Sequence, residues 1–73
     1  MKMENNIFAS RLIQLREARR LSQIATAKEI GISTRGYQNY EYGKAEPKLS
    51  ALIKISDFFG VSLDYLAGRS DTP

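Results

Sequence analysis

Apolar residues recur along this chain at the three- and four-residue spacing of amphipathic helices. The pattern is clearest over 21–43, LSQIATAKEIGISTRGYQNYEYG, where two short runs are separated by a turn. Ser22 and Ser33 each stand before a run, and a serine hydroxyl can accept from the open N–H groups of a first helical turn. A glycine ends each run, as is common where a helix stops. The segment predicts two helices, at about 23–30 and 34–42, joined by a tight turn.

A further helix is predicted ahead of this pair, over about 7–19. Four of its apolar residues share one face and are expected to be buried: Phe8, Leu12, Leu15 and Ala18. Its arginines make it the most basic segment of the chain. We expect residues 1–6 to be flexible, with Asn5 or Asn6 as the N-cap of this helix.

Two more helices are predicted after a loop over 43–48, at about 49–59 and 63–67. The apolar stripe of the longer one comprises Leu49, Leu52, Ile55 and Phe59, widened by Ile53 and Phe58. Val61, which lies between the two helices, is expected in the core, and the polar residues 69–73 are expected to form a loose tail. The pattern as a whole predicts an all-α fold, a compact bundle of five helices in one domain.

The two sides of the predicted third helix differ in chemistry. Tyr37, Tyr40 and Glu41 share the side expected to face the core. The opposite side has one cation, several hydrogen-bonding groups and no acid; its members are Thr34, Arg35, Gln38, Asn39 and Tyr42. Arginine pairs with guanine, glutamine and asparagine pair with adenine, and the threonine methyl contacts thymine. Two short helices joined by a tight turn have the outline of a helix-turn-helix, whose second helix lies in the major groove of DNA.

The second helix is expected to turn Thr26, Ala27 and Ile30 toward the core and to leave Ile24 exposed. Gly36 is unusual inside a helix, where glycine is less favourable than alanine by about 0.5–1 kcal/mol. Its missing side chain either lets another molecule approach the backbone or relieves a crowded contact within the domain. The sequence does not choose between these two interpretations.

Composition narrows the possible chemistry. The 73 residues include 11 basic and 8 acidic ones, a net charge of +3, which is a mild bias toward polyanions. The chain has no cysteine and no histidine, so it lacks thiolate ligands and the commonest general base. We therefore expect no enzymatic activity, no cofactor and no metal. Neither a signal peptide nor an apolar run of membrane-spanning length is present, and the cytoplasm is the expected location.

Four segments, in this order, resemble the phage-repressor and Cro-type (XRE-like) helix-turn-helix domains: LSQ, AKEIGIS, YEYGKAEP and LIKISDFFGVSLDYLAG. The resemblance covers about 8–68 and implies a lambda-repressor-like fold, in which helices two and three bind DNA. It implies base readout by Thr34, Arg35, Gln38 and Asn39. It also implies contacts to phosphates, for which the candidates are Gln23, Ser33, Tyr42 and Lys44. The domain is then expected over 7–68, with its helix-turn-helix at about 22–42.

The resemblance further implies a salt bridge between Arg16 and Glu41. Physical reasoning supports this pair, because Glu41 lies on the inward side of the third helix, where an unpaired carboxylate is unfavourable. Arginine can bind a carboxylate through two parallel hydrogen bonds. The pair is therefore expected to join helices one and three.

The function expected from the resemblance is that of a sequence-specific regulator of transcription, most simply a repressor, which binds an operator in double-stranded DNA. Useful affinity normally needs a homodimer on two half-sites, with contacts expected from the fifth helix, Val61, Tyr65 or the tail. A protein-interaction module with the same fold, such as an antirepressor or a partner-binding subunit, is the alternative. It is kept open by Ile24, Gly36 and Tyr42, which lie on the side expected to face DNA.

Overall fold

The computed structural model describes residues 7–73, so the expected flexibility of 1–6 and the N-cap at Asn5 or Asn6 lie outside the described residues. Within 7–73 the chain forms five α-helices and no strand. They are α1 (Ile7–Ala18), α2 (Gln23–Ile30), α3 (Thr34–Glu41), α4 (Leu49–Phe59) and α5 (Leu63–Ala67). The all-α fold is confirmed, and each helix boundary lies within one residue of its prediction.

One core connects the helices. α1 packs against α3 and α5, and α2 packs against α3 and α4. The buried residues of this core are Phe8, Leu12, Ala27, Ile30, Tyr37, Ile55, Phe59, Val61 and Leu66. Because α3 contributes Tyr37 to this core, its inward side is fixed and its opposite side must face solvent.

Two predicted core positions are wrong. Ala18 is exposed because it is the last residue of α1, where the chain turns away from the core. Leu49 is 66% exposed because it is the first residue of α4 and extends past the edge of the core. The buried stripe of α4 instead begins at Ala51 and continues through Ile55 and Phe59, at four-residue spacing.

Serine hydroxyls begin three of the helices, as predicted. Ser22, Ser33 and Ser62 each accept a hydrogen bond from the backbone N–H three residues later, at 3.0 Å. These hydroxyls satisfy N–H groups that have no partner within the helix. Both helices of the central pair therefore begin at a residue that the sequence specifies.

The helices end in a common way, with one exception. A glycine in the left-handed conformation follows each of α2 to α5: Gly31, Gly43, Gly60 and Gly68. After α1 this conformation is adopted by Arg20, with φ 56°. Hydrogen bonds from Arg20 N to Glu17 O (3.0 Å) and from Leu21 N to Arg16 O (3.3 Å) close the turn. A side chain in this conformation is unfavourable by about 1–2 kcal/mol, so Arg20 is strained.

The polar tail, which was expected to be loose, makes hydrogen bonds to α1 and α5. The Arg11 guanidinium donates to the carbonyls of Tyr65 and Ser70 and to the Asp71 carboxylate, the last at 2.8 Å. It also lies over the Tyr65 ring, 4.0 Å from the centroid. In addition, Ser62 N donates to Pro73 O at 2.9 Å. The tail is thus held mainly by one cation from the opposite end of the domain.

Candidate nucleic-acid interface

The outward side of α3 carries the four residues predicted to read bases. Arg35 is exposed, and Thr34, Gln38 and Asn39 are partly exposed. The acid of this helix, Glu41, is on the other side, with its side chain 1% exposed. The helix therefore presents donors, acceptors and a cation to solvent with no acid among them, as the sequence predicted.

A buried ion pair fixes this helix from behind, as predicted. Arg16 Nε lies 2.6 Å from Glu41 Oε2, and Arg16 Nη2 lies 3.1 Å from Glu41 Oε1. The third nitrogen, Nη1, donates to the carbonyl of Leu21 at 2.9 Å. Arg16 thus joins α1, the α1–α2 connection and α3. Charge-assisted hydrogen bonds of this kind are strong and directional, so they set the position of α3 relative to α1.

The surroundings of Glu41 keep it ionised. Burial raises the pKa of this carboxyl, but hydrogen bonds from Arg16 and Gln23 outweigh that effect and hold the pKa below its usual value. The same hydrogen bonds raise the pKa of Arg16 despite its partial burial. Burial and the neighbouring carboxylate raise the pKa of Tyr37, so its hydroxyl stays neutral. This hydroxyl has no hydrogen-bond partner among the described residues.

Gln23 extends the buried pair to the surface of α3. Its side-chain Nε2 donates to Glu41 Oε1 at 2.9 Å. Its Oε1 accepts from Gln38 Nε2 at 3.1 Å and from the Tyr42 hydroxyl at 3.3 Å. Gln23 was predicted only as a phosphate contact, and its bridging position was missed. The amide bonds depend on how α2 packs against α3, and no spacing within either helix signals them.

The remaining predicted phosphate contacts lie at the two ends of α3. At its start, the Ser33 hydroxyl already accepts from Gly36 N, and a Cβ at Gly36 would lie 2.9 Å from this oxygen. Glycine at this position therefore relieves crowding against the cap. Beyond the other end, the Lys44 ammonium lies 5.8 Å from the centroid of the exposed Tyr42 ring.

Two cations of this surface are available to a ligand. Within residues 7–73, the salt bridges engage Arg11, Arg16 and Arg69, and none engages Arg35 or Lys44. Over the same range, no cluster of three or more His, Cys, Asp or Glu residues could hold a metal ion. No helix between 7 and 73 has the length and apolar character needed to cross a bilayer. The chemistry of the site is thus hydrogen bonding and charge.

Comparison with known proteins agrees with this geometry. A family model described as helix-turn-helix, HTH_3, matches residues 12–66. The chain belongs to this helix-turn-helix family. The resemblance to phage-repressor domains is confirmed by the relatives described next.

Two relatives are regulators of phage origin. The chain is 45% identical over 60 residues to the SPbeta prophage-derived uncharacterized HTH-type transcriptional regulator YonR of Bacillus subtilis, covering 82% of this chain and 56% of the relative. It is 42% identical over 59 residues to the cryptic phage CTXphi transcriptional repressor RstR of Vibrio cholerae, covering 81% and 53%. The chain therefore spans a little over half the length of these relatives.

A solved structure confirms the lambda-repressor-like fold. The solution structure of the DNA-binding domain of the P22 c2 repressor superposes with a TM-score of 0.79 at 25% sequence identity. The match covers 100% of this chain and 92% of that domain. The likeness thus spans all five helices, including the pair that forms the helix-turn-helix.

Proposed function

We propose that this domain is the sequence-specific DNA-binding part of a transcriptional regulator, most simply a repressor, and that α3 lies in the major groove. The observation that carries the proposal is the acid-free polar side of α3, which Arg16 and Glu41 hold in place from behind. Membership of the helix-turn-helix family supports it, as do relatives named as transcriptional regulators and a repressor.

The proposed readout follows from the chemistry of the exposed groups. Arg35 pairs with guanine, Gln38 and Asn39 with adenine, and the Thr34 methyl contacts thymine. Gln23 holds the Gln38 amide before DNA arrives, so less side-chain freedom is lost on binding. The protein acts by occupying a promoter, and it needs neither a cofactor nor a catalytic step. Such a function belongs in the cytoplasm of a bacterium, where chromosome and phage DNA are found.

Phosphate contacts supply most of the affinity in the proposed complex. Lys44 is the charged group, while Gln23, Ser33 and Tyr42 offer hydrogen bonds around the ends of α3. Phosphate contacts fix the register of a protein on the duplex and carry no sequence information. The division of labour is therefore positioning by the ends of the motif and readout by the middle of α3.

We propose that two copies bind two half-sites about 34 Å apart, because a single domain of this size buries little surface. Of the contacts expected from the sequence, Val61 is unavailable because it is part of the core. Tyr65 is partly covered by Arg11. Leu63 on α5, which is 37% exposed, is the better candidate for the contact between copies.

A protein-binding role is the second candidate, because Ile24 and Tyr42 are 64% and 56% exposed. Salt dependence separates the two roles. For DNA binding, the logarithm of affinity for a random-sequence duplex should fall linearly with the logarithm of salt concentration, by about 0.9 per phosphate contacted. Lys44→Ala should make this slope shallower by about 0.9. Lys54→Ala, on the exposed side of α4, is the matched control and should leave it unchanged.

Fluorescence anisotropy across a salt series measures both slopes. A wild-type domain that does not bind the duplex, or binds it with an affinity independent of salt, would contradict the DNA-binding role. A partner that binds through Ile24 and Tyr42 should show little salt dependence, because apolar contacts release no counterions.

A further inference from the structure

Arg20 is the exception among the helix ends. A left-handed residue follows every helix in the described part of the chain, and Arg20 is the one that is not glycine. Glycine adopts this conformation without strain, whereas arginine does not. Strained residues that persist in a fold are concentrated at functional sites. The strain therefore indicates that the Arg20 side chain contributes something that glycine cannot.

The neighbouring arginines all have structural partners. Arg11 holds the tail, and Arg16 holds Glu41. Arg19 lies over the rings of Phe58 and Phe59, with its guanidinium carbon 4.8 and 5.2 Å from their centroids. Arg20 is exposed, and no hydrogen bond, ion pair or ring contact of its side chain occurs within residues 7–73. Its charge is thus free to meet a ligand.

The backbone at Arg20 is fixed relative to α3. The next residue, Leu21, is bonded to Arg16 through both its N–H and its carbonyl. Arg16 in turn holds Glu41 of α3. Arg20 also precedes Gln23 by three residues, a separation of at most about 10 Å along the chain. The cation is therefore anchored to the same network that positions the proposed recognition helix, close to the start of α2.

We propose that Arg20 is an additional phosphate-contacting residue, which extends the DNA-binding surface from the start of α2 onto the α1–α2 connection. The inference rests on the proposed DNA-binding function. Arginine matches the geometry of a phosphate and carries its charge at any physiological pH. The domain thus keeps a strained turn in exchange for one more contact with the DNA backbone.

The test compares Arg20→Gly, Arg20→Lys and Arg19→Ala with the wild-type domain, by thermal melting and by anisotropy with a random-sequence duplex. Arg20→Gly relieves the strain and should raise Tm by about 4–8 °C. It should also weaken DNA binding by about five- to tenfold near physiological salt and make the salt slope shallower by about 0.9. Arg20→Lys keeps the charge and should retain most of the slope.

Arg19→Ala is the matched control, since it removes the same charge one residue away. It should lower Tm through loss of the aromatic contacts and leave the salt slope close to that of the wild type. The inference is overturned if Arg20→Gly is less stable than the wild type, or if it binds with unchanged affinity and slope. A wild type that binds no duplex would instead refute the proposed function itself.

Discussion

Replacing Glu41 with alanine should lower the free energy of unfolding by about 3–5 kcal/mol. The change leaves the Arg16 guanidinium, whose side chain is 16% exposed, without its carboxylate, and Gln23 Nε2 without its acceptor. A domain of this size has a total stability of roughly 3–5 kcal/mol, so most molecules should be unfolded at room temperature. Urea or thermal denaturation followed by circular dichroism measures the loss.

Glu17→Ala is the matched control, because Glu17 is an exposed acid on α1 outside the buried pair. It should change stability by no more than about 0.5 kcal/mol. Replacing both members of the pair, as Arg16→Met with Glu41→Leu, should recover much of the loss because no unpaired charge is left behind. A Glu41→Ala domain that is as stable as Glu17→Ala would show that the pair does not hold α3.

The same carboxyl should make stability depend on pH. Its pKa is lower in the folded state than its ordinary value of 4.5, so at acidic pH the unfolded state binds more protons. The stabilisation is complete above the unfolded pKa and is lost as pH falls through the folded pKa. Denaturation curves should therefore shift to lower stability below about pH 4.5. The Arg16→Met, Glu41→Leu domain should show a weaker shift over that range.

The double substitution Arg35→Ala with Gln38→Ala should abolish useful binding to a selected operator. Each bidentate contact with a base is worth about 1–3 kcal/mol of discrimination, so affinity should fall by about 10²–10⁴-fold. Stability should be nearly unchanged, because both side chains lie on the solvent side of α3 and neither belongs to the core. Anisotropy titrations and thermal melts on the same preparations measure the two effects.

Lys54→Ala with Asp57→Ala is the control for this pair. Both residues are exposed on α4, and their joint replacement leaves the net charge unchanged. This variant should bind the operator as the wild type does. If the Arg35 and Gln38 variant kept wild-type affinity for the same operator, α3 would not be the reading helix.

The fold was predictable because its signals are local. Apolar spacing, serine caps and terminal glycines each act within one or two turns of helix, and all five helices were found where these signals placed them. Ala18 and Leu49 were misplaced because periodicity shows which face is apolar and gives no information on where the core ends. Arg20 was missed because a glycine is the usual signal for a left-handed turn, and here it is absent.

The candidate site was predictable in its orientation but not in its connections. Inward Tyr37 and Glu41 and outward Arg35 follow from helical spacing alone. The amide chain from Glu41 through Gln23 to Gln38 depends on packing between helices. The tail contacts of Arg11 likewise join residues at opposite ends of the chain. Contacts of this kind leave no periodic trace in a single sequence.

The most direct test of α3 as the reading helix is selection of bound duplexes from a random pool, with the wild type and the Arg35→Ala, Gln38→Ala variant in parallel. The wild type should enrich one sequence built of two related half-sites, with centres about one helical turn, 10–10.5 base pairs, apart. The variant should enrich no such sequence. A wild-type pool that stays random after repeated selection, or a variant that enriches the same sequence, would contradict the assignment of this helix to the major groove.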